Sequence, residues 1–210
     1  AAWSLWWEDD RARRDAADAY RDAALTDALA RLIPQLMTGE GTAVCSPLDV
    51  YLALALLADA TAGGTQDQLL ALLGADDAAA LRDRAAALWT AHYCDDGLVR
   101  STLASSLWLR DDLAYDEGTV SRLAADHHAS VFRGPMGAAS YDGDLQHWLD
   151  TESGDLLSDQ AAQARFDPQT VLGLATAVWY QARWETPFAA ADTAAGPFHA
   201  PEGDVTCDFL

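Results

Sequence analysis

The chain has 210 residues, half of them hydrophobic, with 33 acidic against 13 basic side chains and a net charge of −20. That length supports one core, at most two domains. The charge repels phosphate backbones, sulfated polysaccharides and anionic lipid, so nucleic acid, membrane surfaces and heparin-type activators are not expected as partners.

The longest apolar run, Leu52 to Ala58, falls far short of the roughly 20 residues that cross a bilayer. Cys45, Cys94 and Cys207 make neither a disulfide framework nor a CxxC zinc pair. The chain opens Ala-Ala-Trp, and no charged-then-apolar leader pattern is in view. The acidity is read as keeping a secreted protein soluble.

Residues 1–19, with Trp3, Trp6 and Trp7, read as a loosely docked lead-in to one domain over 20–210. Leu25, Leu29, Leu32, Ile33 and Leu36 then fall at helical spacing, with Pro34 set to kink or end the helix. Thr42 to Cys45 is a short strand candidate. Ser46-Pro47-Leu48-Asp49 carries an N-cap, a first-turn proline and an acid completing a capping box. The helix it opens, Val50 to Ala58, is apolar on every side and needs cover all round.

Thr65 and Gln68 read as a second capping box for a helix that runs through Leu73 and stops at Gly74. Asp76 to Tyr93 is Ala-rich and helical, Ser101 to Leu109 strand-compatible, and Tyr115 to His128 helical. A short strand follows at Ser130 to Arg133, and Leu145, Trp148 and Leu149 share a helix face. Thr170 to Tyr180 is nearly all apolar, the pattern of a strand covered on both faces. Helices early and strands late argue an α+β fold.

Catalytic and metal readings are weak. Cys94 with His127 or His128 and an acid has no local hydrolase signature. Adjacent histidines at Asp126-His127-His128 diverge on a helix and read as a surface helix end. His147 and His199 read as surface or packing residues, and Trp148, Trp179 and Trp184 as core anchors. The carboxylates show no EF-hand loop or paired catalytic spacing. The chain is read as a non-enzyme without a cofactor.

Three ordered stretches carry a family resemblance. Val44-Cys45-Ser46-Pro47-Leu48 through Ala60-Thr61-Ala62-Gly63-Gly64-Thr65 to Leu73-Gly74 is one. Trp148-Leu149-Asp150-Thr151-Glu152-Ser153-Gly154 is the second. Leu174 to Phe188, with Thr193 and Pro197-Phe198-His199, is the third. In order and spacing they resemble the serpins. The resemblance implies helices around a central, mostly antiparallel sheet. Residues 46–60 would form a helix behind it, 101–109, 130–133 and 170–183 three of its strands, and 140–152 a helix across its front.

The resemblance also implies a hydrogen-bonded shutter under the sheet at Ser46, Asp49 and Thr176. Asp49 stands where the family usually has Ser, and Thr176 where most members have Asn. Ala60, Ala182 and Asp155 replace usual glycines.

The implied activity is suicide inhibition of a serine or cysteine endopeptidase. A cleaved reactive loop enters the sheet as a new strand. Family members run nearly twice this length with the loop near the C-terminus. The chain is therefore expected to be the N-terminal half or slightly more, without that loop, and to self-associate when isolated. The alternative is a non-inhibitory binding or carrier relative, or a truncated remnant.

Overall fold

The computed structural model describes residues 23–38, 44–95, 99–184 and 186–209. The lead-in at 1–19 and Thr42–Ala43 lie outside the described residues, while Val44 and Cys45 are non-strand. Contacts divide the chain into a unit ending at Tyr180 and a second running from Gln181 onward.

Helix α1 (Ala23–Leu36) presents Leu25, Ala28 and Leu32 to the interior. Pro34 sits in its last turn, where the amide it lacks removes one bond near the helix end and the helix stops two residues later. Helix α2 (Pro47–Ala60) follows, and none of its residues is exposed, as an all-round apolar helix requires. Helix α3 (Gly64–Leu73) is capped at its start by Gly63 without a side-chain bond, so the expected Thr65–Gln68 box does not form. At its end Gly74 takes φ +65°, a left-handed C-cap suited to glycine.

Helix α4 (Ala78–His92) is capped by Asp77, whose carboxylate accepts from Ala80 N at 2.8 Å. Leu25, Tyr51, Ala55, Leu73, Leu81 and Leu88 join these four helices in one buried cluster.

Strand β1 (Cys94–Asp95) pairs antiparallel with the long β2 (Val99–Arg110). Helix α5 (Glu117–Asp126) leads into β3 (Ala129–Gly134), which pairs parallel with Ser105–Arg110. Helix α6 (Ala139–Glu152) and the single-turn α7 (Ser158–Ala161) precede β4 (Leu172–Ala182), which also pairs with β2. Arg110 N donates to Val171 O and Ser106 Oγ to Ala175 O, so β4 runs antiparallel to β2.

Side chains alternate across these strands, and the two faces meet different helices. Leu107, Val131, Leu172 and Leu174 pack with Leu56 of α2 and Leu123 of α5. Their neighbours Trp108, Phe132, Ala175 and Ala177 pack with Tyr141, Leu145 and Trp148 of α6. The sheet therefore has α2 behind it and α6 in front.

One expectation fails at β4. Only Ala177 is buried, while Val178 and Tyr180 are exposed, Tyr180 to 67%. Among the described residues β4 pairs with β2 alone, so it is an edge strand, and its C-terminal half lacks cover. An apolar run marks a strand that must be covered but does not supply the cover.

In the second unit, β5 (Ala194–Ala200) and β6 (Gly203–Phe209) form an antiparallel hairpin. Trp184, expected in a core, is 72% exposed, with its ring edge-on to Phe188.

Candidate functional site

The three shutter positions come together where α2 begins beneath β4. Ser46 has extended backbone (φ −111°) and its Oγ accepts from Asp49 N at 3.2 Å. This is an N-cap bond, and Pro47 fits the first helical position, where its missing N–H would have had no partner in the helix. Thr176 Oγ1 donates to the backbone carbonyl of Asp49 across 3.5 Å, a long bond that ties β4 to the first turn of α2.

The Asp49 side chain does not complete a capping box. Its Oδ1 is buried with no partner. Burial pushes its carboxyl up from 3.8 to about 6, against a smaller lowering by the Ser46 hydroxyl. Asp49, Thr176, Ala177 and Val178 line a half-open pocket of about 230 Å³, together with Leu149, Ser153, Leu157, Gln160 and Ala161 from α6, α7 and the turn between them. The pocket is apolar apart from the Asp49 carboxyl and a few neutral polar groups. It can accept a hydrogen-bond donor or an apolar side chain, and it offers no nucleophile–base pair.

A second cluster, with no motif to mark it in the sequence, lies at the other end of α2. Asp59, near the end of α2, is buried and accepts from Arg82 Nη1 of α4 at 2.8 Å and from Arg122 Nη1 of α5 at 2.7 Å. His127 Nε2 lies 3.2 Å from the same carboxylate, and both side chains are only 3% exposed. The expectation that His127 is a surface helix end is thus wrong. An Asp at the end of an apolar helix is the one signal that could have exposed it, because a carboxylate there needs partners. The partners themselves lie up to 68 residues away.

His128, at φ +51°, stacks on Trp89 with ring centroids 4.0 Å apart. The helix ends at Asp126, so His127, held by Asp59, and His128, on Trp89, diverge because the chain turns left-handed after the helix and not through helix geometry. Among the described residues, no group of three or more His, Cys, Asp or Glu could hold a metal ion. No helix there is long and apolar enough to cross a membrane.

The family model described as Serpin (serine protease inhibitor) matches residues 23–208. Serpin-Z2A of Oryza sativa subsp. japonica is 30% identical over 168 residues, covering 76% of this chain and 39% of its own. The thermophilic serpin tengpin in its native state superposes with a TM-score of 0.73 at 23% identity, covering 88% of this chain and 48% of that one. Reactive-loop-cleaved human thyroxine binding globulin gives a TM-score of 0.77 at 14% identity, covering 91% and 59%. These structural likenesses carry the fold. The chain spans less than half the length of the curated relatives it matches.

Proposed function

Because the chain belongs to the serpin family, we propose that it is the scaffold of a protease inhibitor that works by taking a cleaved loop into its sheet as an added strand. One observation supports this reading above the others. The family model described as serine protease inhibitor matches residues 23–208, and the fold sets β4 against β2 with α2 behind the sheet and α6 in front. The Asp49–Thr176 bond holds that strand's underside to α2.

The α4 arginines support activity without a polyanion. Arg82 is engaged by Asp59 and Asp126, and Arg84 donates to Tyr51 Oη and to the Leu73 and Gly74 carbonyls. Neither is presented as an outward basic patch.

The test uses the full-length protein with a trypsin-like, a subtilisin-like and a papain-like protease. The expected result is a complex with at least one of them that survives denaturing electrophoresis at the summed mass, with loss of protease activity. Heparin should not accelerate it. Clean cleavage of the protein by all three, with protease activity intact, overturns the inhibitor reading in favour of a binding or carrier relative.

A further inference from the structure

The Asp59 cluster is built in a way that the shutter and the sheet do not require. Three elements meet at one buried carboxylate. Asp59 belongs to α2, Arg82 to α4, and Arg122 and His127 to α5 and its C-cap. Asp126 closes the outer side, 3.5 Å from Arg82 Nε and 4.0 Å from Arg122 Nη1. Charge counting is simple. Two guanidinium groups balance two carboxylates, so the cluster is neutral while His127 is neutral.

A proton on His127 leaves one net positive charge in a site where His127 and Asp59 are each 3% exposed. The position is also a junction. The His127 amide donates to Leu123 O as the last bond of α5, His128 turns the chain at φ +51°, and Ala129 starts β3 opposite Ser105. We infer that Asp59, Arg82, Arg122 and His127 form an acid-released latch, which fastens α4 and α5 to the buried end of α2 at neutral pH and frees them when His127 takes up a proton.

Burial holds the His127 imidazole below its ordinary 6.5, outweighing the pull of Asp59 and Asp126, while Arg82 lowers it further. The folded latch therefore resists the proton, and the opened form accepts it near 6.5. Latch stability is complete above that pH and is lost as pH falls below it. His128 is also held low by burial, and it faces Trp89 and not the carboxylate. It therefore serves as the control.

The test is hydrogen exchange on the full-length protein at pH 7.5 and 5.5, corrected for the intrinsic pH effect. In the native protein, amides of 78–92 and 117–128 should exchange several-fold faster at the lower pH, up to the roughly tenfold ceiling that a single histidine opening at 6.5 allows, with those of α6 unchanged. His127→Gln keeps a donor for Asp59 but cannot titrate, so its exchange should not respond to pH. His128→Asn, which tolerates positive φ, should respond as the native protein does. Acceleration that persists in His127→Gln, vanishes in His128→Asn, spreads evenly over the chain or fails to occur overturns the latch. Should His127→Gln not fold, the native His127 ring is followed by NMR. A ring that titrates at 6.5 with both helices still protected also overturns it.

Discussion

Asp49 is fixed in the first turn of α2 by its amide, which bonds Ser46, and by its carbonyl, which accepts from Thr176. Its side chain gains little from this arrangement, because Oδ1 is buried without a partner. A carboxyl raised from 3.8 to about 6 stabilises the fold while protonated. That contribution is complete below 3.8 and is lost as pH rises through about 6. Asp49→Asn removes the titration. The variant should match the native protein near pH 4 and exceed it by up to about 2 kcal/mol at pH 8, a figure reduced for partial solvent screening. Urea unfolding of the full-length protein across that range measures it, and equal stabilities at pH 8 would show that Asp49 finds a partner when ionised.

The turn after α6 gives a second residue-scale prediction. Gly154 has φ +64°, and a Cβ there would sit 2.5 Å from the Trp179 ring, so Gly154→Ala should cost roughly 2 kcal/mol or more through strain and clash. Asp155 follows at φ +59°, where the family usually has glycine. Asp155→Gly should stabilise by up to about 1 kcal/mol, and urea midpoints should move in opposite directions for the two.

At the scale of elements, α2 organises the first unit. It contacts α1, α3, α4 and α5 and supplies Leu56 to the back of the sheet. Its start depends on one cap, so Ser46→Ala should cost about 1 kcal/mol and Ser46→Gly only a few tenths. Thermal melts of both variants check this, and equal losses would mean that the Thr176 bond to Asp49, not the cap, fixes the turn. Most of this architecture was legible in the sequence, because α2 and β2 carry their instructions locally. Ser46-Pro47 marks a start, an all-apolar run demands burial, and Leu103, Leu107 and Leu109 fall on one side of a strand.

What was not legible depends on distant partners. The β4 run could not reveal that Val178 and Tyr180 are exposed in this structure, because periodicity reports what a strand needs and not what it gets. Thr65 and Gln68 had cap chemistry, but the backbone turned two residues earlier, at Gly63. Asp59 and His127 had no shared motif, because their bond spans 68 residues and exists only once α5 has packed on α2. Ser46, Asp49 and Thr176 became a candidate site through family resemblance alone, since nothing local joins positions 127 residues apart.

At the scale of the whole molecule, two effects oppose each other in the 210-residue chain on its own. In the first unit, β4 has an unpaired edge among the described residues, with Val178 and Tyr180 exposed beside it. In the second, the pairing Phe198↔Val205 and Ala194↔Phe209 puts three large apolar side chains on one face of the hairpin, all exposed. Edges and apolar faces of this kind drive association. The net charge of −20 resists it. Charge repulsion between molecules fades once the Debye length shrinks from about 30 Å at 0.01 M salt to about 3 Å at 1 M, while strand pairing and apolar burial do not. The isolated chain should therefore be smallest in low salt and grow into dimers or larger species as salt rises, as read by light scattering after gel filtration. A monomer that persists in 1 M salt and melts in one sharp cooperative transition would mean that these surfaces are covered within the chain itself. A monomer that forms only as salt rises would mean that charge repulsion limits folding and not association.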